Sequence, residues 1–468
     1  MKAARLRRPA SPALVLLLLA AVGCGGGGSA TADGGIDAGP VPATITVDTT
    51  TTYQTMVGFG AAVAYYDASA TMNPMSTQLF QTLFGDLGIQ VLRVANWYQN
   101  NNDGNVGFTQ TAAFVAAVHQ MGYSPILLMS SWNPPQSLKS NGQLRNGGTL
   151  TTTSAGGYDY ASFATWWAES LTAFAAATGG IVPDYVSIQN EPDYTTNNEG
   201  TCLFDPTEDA TNAGYGEALH AVRAAVATAA ADPTAGFPMP KFIGPENDSL
   251  NKGEFGKYMT GLTSSGHIGE LDAVAHHDYG SGTDAIPNTF NYNLMGVATS
   301  APAGTPIWQS EYAPNTQSTY NTAWLIENSV IVEGVSTYLY WDLYWPTASG
   351  LVSTTSTGYV INDDYYAVQH FAKGIATGWT RVGATASTAP LLVSAFLSPD
   401  GTRLTLVLVN TSSSDYQVTI APGTFAGTTS NVYRSSGMTE RYAALGPLDA
   451  AGSLSMPAAS VATVMLTP

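Results

Sequence analysis

The sequence predicts a parallel (β/α)8 barrel of the TIM type with a C-terminal all-β sandwich side domain. Three observations carry this. Eight short apolar runs recur between residues 56 and 341. Stretches with helical spacing separate most of them, which indicates a parallel sheet with crossover helices. After about Gly374 the helical period disappears and only short strand-like runs remain.

The eight predicted barrel strands are Met56–Val63, Gln90–Ala95, Ser124–Trp132, Tyr185–Glu191, Lys241–Glu246, Ala273–Tyr279, Pro306–Tyr312 and Gly334–Trp341. Between them, Ser76–Gly88 carries Leu79, Phe80, Leu83, Phe84 and Leu87 at the i, i+3/i+4, i+7/i+8 spacing of one helix face. Asp159–Gly179 puts Phe163, Trp166, Trp167, Leu171 and Phe174 on one side, and Asn321–Gly334 and Tyr365–Ile375 close the series. A doubly wound open sheet is the rival. Its dinucleotide turn is missing, because Gly58-Phe59-Gly60-Ala61-Ala62 lacks the third glycine of G-x-G-x-x-G. The barrel is expected over residues 56–375 and the side domain over 376–468, with strands at Leu391–Leu397, Arg403–Val409, Gln417–Ile420 and Val461–Leu466. The Thr-rich segment 43–55 is strand-like and is expected to join the side domain.

Residues 1–23 read as an export signal. Lys2, Arg5, Arg7 and Arg8 precede an apolar run, Ala13–Val22, that is too short for a spanning helix of ~20 residues. Ala-Val-Gly-Cys at 21–24 resembles a lipoprotein cleavage box, with Ala21 where leucine is commoner, and makes Cys24 the expected lipidation site. Residues 24–42, rich in Gly, Ala and Asp, read as a flexible tether. The expected location is the cell surface or outer membrane, with the membrane engaged only through Cys24.

Charge and cysteine content exclude several functions. The 468-residue chain has 16 Lys and Arg against 34 Asp and Glu, a net charge of −18, which argues against nucleic acid and against anionic lipid surfaces. Charged residues are only 11% of the chain, so Thr, Ser, Asn, Gly and Tyr must cover its surface. Two cysteines, Cys24 and Cys202, cannot make a disulfide framework or a thiolate zinc site. With Cys24 lipidated, Cys202 is a free thiol. No cofactor and no metal are expected, and the chain is expected to act as a monomer.

Working residues of such a barrel sit at the carboxyl ends of its strands. Those ends hold Arg93, Asn96 and Trp97; Ser131, Trp132 and Asn133; Gln189, Asn190 and Glu191; Glu246 and Asn247; His276, His277 and Tyr279; Ser310, Glu311 and Tyr312; Trp341 and Asp342. Aromatics, amides and carboxylates suit a sugar. Rings stack on C–H faces, amides pair with hydroxyls, and hydrolysis takes two carboxyl groups flanking the bond. His276 and His277 are adjacent, so on a strand they point to opposite faces and cannot easily share one metal.

The segments Gly58-Phe59-Gly60, Ser131-Trp132-Asn133-Pro134-Pro135, Leu138-Lys139-Ser140-Asn141-Gly142, Ser187-Ile188-Gln189-Asn190-Glu191-Pro192-Asp193-Tyr194, His277-Asp278-Tyr279 and Trp308-Gln309-Ser310-Glu311 resemble those of glycoside hydrolase family 30, and the third- and fourth-strand segments are most similar to its bacterial xylanase branch. The resemblance covers about residues 44–468. It implies that Glu191 is the general acid/base, with its pKa raised by burial and by its neighbour's charge, and that Glu311 is the nucleophile, with Arg93 and Tyr279 beside it. It implies that Asn190 bonds the sugar 2-hydroxyl, that Trp341 is the platform under the sugar before the cleaved bond, and that Trp132 walls the same subsite. Arg93 as an ion-pair partner of Glu246 is the structural alternative. Trp97 and Tyr194 join the expected substrate-binding set.

One departure matters. Glucuronate-dependent xylanases of the family carry an arginine in the loop after strand eight. Here that loop, Trp341-Asp342-Leu343-Tyr344-Trp345-Pro346-Thr347, has no cation, so the bidentate carboxylate clamp is missing. Tyr344 and Trp345 are expected to stack on neutral sugars instead. Lys139 and Arg145 are the cations to suspect if a clamp exists after all. The expected activity is endo-hydrolysis of β-1,4-xylan by double displacement without dependence on glucuronate branches. The alternatives are a β-1,6-glucanase or other neutral β-glycan hydrolase, and a non-catalytic glycan-binding lipoprotein.

Overall fold

The computed structural model describes residues 39–64, 77–100, 107–280, 287–346, 349–355, 357–427 and 429–468. The export signal, Cys24 and nearly all of the tether lie outside the described residues. Strand β1 (Val41–Thr55) comes first. Eight parallel strands then close a barrel in chain order: β2 (Gly58–Val63), β3 (Val91–Ala95), β4 (Ile126–Ser130), β5 (Tyr185–Ser187), β6 (Lys241–Ser249), β7 (Ala273–Tyr279), β8 (Ile307–Tyr312) and β9 (Thr337–Tyr340). All eight coincide with the predicted runs. Helices cover the outside: α1 (Thr77–Phe80, continued by a π turn over Gln81–Asp86), α2 (Phe108–Gln120), α3 (Tyr160–Thr178), α4 (Tyr215–Ala230), α5 (Lys252–Ser264), α6 (Pro287–Ser300), α7 (Thr319–Asn328) and α8 (Asp363–Ala372).

Local chemistry sets several boundaries. Helix α3 starts where the Asp159 carboxylate accepts the Ser162 N–H and stops at Gly179, whose φ of 74° ends the helix in a left-handed cap. In the barrel wall a Cβ on Gly60 would stand 1.8 Å from the Val91 carbonyl oxygen, so only glycine lets β2 approach β3 there. One layer of the barrel interior is apolar: Val91, Leu128, Ile243, Ala275, Trp308 and Leu339 pack on one another. The polar side chains of the site stand apart from that plug, further along the strands.

Three short strands follow β9: β10 (Tyr344–Trp345), β11 (Val352–Thr355) and β12 (Gly358–Ile361), which form a small separate sheet. The side domain is built from β13 (Thr380–Ala386), β14 (Leu391–Leu397), β15 (Leu404–Asn410), β16 (Tyr416–Ala421), β17 (Thr429–Ser436), β18 (Glu440–Gly446), β19 (Ser453–Met456) and β20 (Ser460–Thr467). Its strand order is β18-β17-β20-β15-β14-β13-β1-β16-β19. Strand β1 lies inside that sheet, antiparallel to β13 and parallel to β16.

Buried polar groups tie this sheet to the barrel helices. His370 on α8 lies between Thr463 on β20 and Ser435 on β17, at 2.8 and 2.9 Å. The Thr463 hydroxyl donates to the His370 carbonyl, so it accepts from Nδ1–H, and Ser435 donates to Nε2. Burial pushes this imidazole down to about 3, so it is neutral. On α7 the buried Glu327 carboxyl accepts the Ser394 hydroxyl of β14 at 2.7 Å. Burial pushes Glu327 up to about 8 from its ordinary 4.5, against the smaller pull of Ser394 and Arg381.

The folded value lies above the unfolded one, so the unfolded chain loses its proton first. Glu327 therefore subtracts stability progressively as pH rises from 4.5 through about 8. Glu327→Gln should remove that dependence. Its stability relative to the parent should improve by a few kcal/mol, as an order of magnitude, between roughly pH 5 and 8. Denaturant melts of both proteins at each pH measure this, and a difference independent of pH would refute it.

Candidate active site

The carboxyl ends of the strands converge on Arg93. This side chain is fully buried in the middle of β3 and bridges four neighbours. Its Nε donates to Glu246 at 3.1 Å and to Ser130 Oγ at 3.1 Å, Nη1 to Glu311 at 2.7 Å, and Nη2 to Asn190 Oδ1 at 2.6 Å and to Glu246 at 3.2 Å. Its guanidinium also lies 4.7 Å from the Trp132 ring centroid. Arg93 is thus both the ion-pair partner of Glu246 and a neighbour of Glu311. Burial alone would raise the Glu246 pKa, but Arg93 above all holds it below the ordinary value. An arginine only donates, so the Asn190 atom facing it is the carbonyl oxygen, and the amide nitrogen is left to donate elsewhere.

Glu191 and Glu311 occupy adjacent positions with unlike neighbours. Glu311, 1% exposed, accepts from Arg93 and, at 3.1 Å, from the Tyr279 hydroxyl. Glu191, 3% exposed, faces Nδ1 of His277 at 3.1 Å. Burial is the main reason that the His277 pKa is pushed down to about 4, with Arg93 adding to it, so near neutral pH this imidazole carries no charge. One oxygen from each carboxylate and one nitrogen of His277 lie within 4.8 Å of one another. Glu191 has φ 48° and Glu246 φ 59°, and the Glu191 N–H donates to the Glu246 carbonyl at 3.0 Å. Left-handed backbone at such residues costs on the order of 1–3 kcal/mol each, and the surrounding bonds must hold it in place.

The other expected residues separate into those near the pair and those behind it. Trp97, Trp132 and Trp341 form a row, with centroids 5.9 and 5.8 Å apart. Trp341, 5% exposed, is the open end, and Trp132 stands between it and Trp97. Trp97 is fully buried, and its Nε1–H donates to the Ala64 carbonyl at 2.7 Å, so it backs Trp132 in this row. Tyr344 is buried and packs on Phe114 of α2, with centroids 5.8 Å apart. Trp345 and Tyr194 are partly exposed, and the Tyr194 N–H caps the Glu191 carbonyl at 3.0 Å. Asp342, the cation-free loop's one acid, is buried.

Two cations remain in the long loop after β4. Lys139 is buried, and its Nζ donates to the carbonyls of Leu144, at 3.1 Å, and Thr201. Burial pulls it down to about 8, while neighbouring Cys202, a buried free thiol, is pushed up by burial to about 12. Arg145 donates from Nη1 to the Asn197 carbonyl at 3.3 Å.

His277 is the contact that the sequence analysis did not assign to the site. Strand alternation contained the signal, since His277 and Tyr279 are two residues apart and share a face. The same alternation sends His276 away, to Glu333 at 2.5 Å. Glu191, His277 and Glu311 are also one of two groups among the described residues whose atoms could converge on a metal ion. The Arg93 guanidinium already supplies positive charge beside Glu311, and the arrangement is that of a carboxylate pair.

Comparison with known proteins agrees with this architecture. Residues 378–464 match the family model of the glycosyl hydrolase family 30 beta sandwich domain. The chain is similar in structure to the catalytic domain of a family 30 xylanase C from Talaromyces cellulolyticus, with TM-score 0.72 and 20% identity, covering 91% of this chain and 100% of that one. It is similar to a family 30 subfamily 8 xylanase from Clostridium acetobutylicum, with TM-score 0.69, 22% identity and the same coverage. An endo-β-1,6-glucanase has TM-score 0.66 and 17% identity over 91% of this chain and 94% of its own. No curated protein matches the chain in sequence. The fold is therefore one shared with solved family 30 structures, and the side domain matches the family's beta sandwich domain. The family read from barrel motifs is matched independently by a segment outside the barrel.

Arg93→Met should leave Glu246 as a buried charge without its cation and destabilise the protein by about 3–5 kcal/mol. Arg93→Met/Glu246→Leu should recover most of that. Urea unfolding measures both, and a loss under about 1 kcal/mol in the single variant would show that the ion pair contributes little.

Proposed function

We propose that the protein is a retaining endo-β-glycosidase of family 30 acting on β-1,4-xylan. The observation that carries this is the close approach of Glu191 and Glu311, within 4.8 Å at their nearest oxygens, in unlike electrostatic surroundings. This approach suits the roughly 5–5.5 Å between carboxyl groups of retaining enzymes and leaves little room for the water that inversion needs at about 6.5–9.5 Å. The matched side domain and the paired carboxylates both favour an enzyme over a glycan-binding protein, which needs no acid/base pair.

The chemistry follows from the neighbours. Glu311, beside a guanidinium and a phenol donor, is favoured as the anion that attacks the anomeric carbon. Glu191, beside a neutral imidazole, is suited to hold the proton that passes to the leaving oxygen. The carbon–oxygen bond breaks as the ester to Glu311 forms. Water then gives its proton to Glu191 and its oxygen to the anomeric carbon, releasing Glu311. The Asn190 amide nitrogen, turned away from Arg93, is available to the 2-hydroxyl. Trp341 offers the sugar a ring face.

Preference for undecorated chains rests on charge. The sequence after β9, residues 341–350, has no cation, and Lys139 is committed to two backbone carbonyls. A lost charge-assisted fork forfeits about 1.5–3 kcal/mol of discrimination, roughly tenfold to a hundredfold.

Two measurements test the proposal. Glu311→Gln should abolish turnover on every substrate, whereas Glu191→Gln should retain hydrolysis of aryl glycosides whose leaving groups need no proton. Equal loss in both would overturn the assignment of roles. On polymers, linear xylan should be cut at least as fast as glucuronoxylan. Products each carrying a glucuronate at one fixed distance from the reducing end would overturn the charge argument. Hydrolysis of β-1,6-glucan with none of xylan would move the specificity to that polymer.

A further inference from the structure

A second constellation of ligating side chains lies away from the barrel mouth, where α4 packs against the connection between α5 and β7. The connection turns at Gly266, with φ 81°, and continues as a single 3₁₀ turn over Ile268–Glu270. In a 3₁₀ turn residues three apart eclipse, so His267 and Glu270 stand side by side. Their Nδ1 and Oε1 atoms are 3.0 Å apart. Helix α4 brings the third group. A Cβ on Gly216 would meet Ser265 Oγ at 2.5 Å and His267 Cδ2 at 3.6 Å, so a glycine there lets the helix lie against this turn. One helical turn on, His220 places its Nδ1 2.7 Å from the same Glu270 oxygen. The two imidazoles stack with centroids 4.5 Å apart and planes 25° from parallel. The backbone beneath is held as well, since the Glu270 N–H donates to the His267 carbonyl at 3.0 Å and Arg223 donates to the Glu270 carbonyl at 2.8 Å.

We propose that His220, His267 and Glu270 form a surface site for a zinc-type divalent transition-metal ion. Two imidazole nitrogens and a carboxylate oxygen, all within 4.8 Å of one another, are borderline donors of the kind that select zinc or copper over calcium or magnesium. In the structure a single oxygen, Glu270 Oε1, meets both Nδ1 atoms, so each imidazole must be the Nδ1–H tautomer to donate. When a metal ion takes the place of those two hydrogen bonds, the proton of each neutral imidazole shifts from Nδ1 to Nε2 through solvent, and the two Nδ1 lone pairs and the Glu270 carboxylate bind the ion. His220 is exposed, so solvent can complete the coordination. The site clips α4 to the segment that leads into β7, the strand that carries His277 and Tyr279.

The test uses the untagged full-length chain, stripped with chelator and titrated with zinc by calorimetry, with copper(II) paramagnetic resonance as a second readout. The parent should bind zinc at this site, should raise its melting temperature with zinc, and should show two nitrogen donors to copper. His220→Ala and His267→Ala should each lose that zinc equivalent and that thermal shift, and should reduce the copper signature to one nitrogen. Polysaccharide hydrolysis by the metal-free variants should equal that of the metal-free parent. Zinc stoichiometry unchanged in both variants would overturn the proposal, as would equal binding of calcium.

Discussion

The buried Arg93 guanidinium is the interaction on which the site depends. It has no solvent, so its charge must be answered by the protein, and Glu246 and Glu311 supply that answer. A lysine would offer a point charge with no fork, whereas the planar guanidinium bonds Glu246, Glu311 and Asn190 together. Its face also lies over Trp132, which in turn supports Trp341. One side chain from β3 thereby fixes groups from β4, β5, β6 and β8, or from the segments following them. A buried ion-pair network of this kind is expensive to assemble and adds little net stability. Its return here is geometry: two carboxylates are held close together with different charges around them.

That difference in surroundings divides the work between two chemically identical side chains. Charge on Glu311 is met by Arg93 and Tyr279, while Glu191 meets an imidazole that burial keeps neutral. The backbone takes part, because Glu191 and Glu246 both adopt left-handed φ and are joined by a main-chain hydrogen bond. Strained backbone of this kind persists only where neighbouring structure over-determines it, and here the ion-pair network does so.

The side domain is joined to the barrel at both ends of the chain and through its helices. Strand β1 enters the middle of the nine-stranded sheet before the barrel begins, so the sheet closes only when both ends of the described chain are in place. His370 and Glu327, both neutral by burial, reach from α8 and α7 to strands β20, β17 and β14. Neutral groups satisfy the hydrogen bonds of this interface without the cost of a buried charge.

Much of this was legible in the sequence because it depends on local periodicity. The eight barrel strands, helix α3 with its Asp159 cap and Gly179 stop, and the positions of Glu191 and Glu311 at strand ends all follow from short-range pattern. Strands β13, β17, β18 and β19 were not predicted. They mix polar and apolar residues, and β18 is an edge strand with an exposed face, so no clear alternation marks it. Nor could pattern assign Trp97 and Tyr344. An aromatic at a strand end can face the groove or the core, and only the neighbouring helix and loop decide which. Likewise, sequence offered Glu246 and Glu311 as rival partners for Arg93, and the folded barrel supplies both because a guanidinium has five donors. Sequence alone determined where the carboxylates and aromatics lie along the strands. Tertiary structure decided which of them touch, because contacts between residues 32 to 218 positions apart depend on barrel closure, which no local pattern encodes.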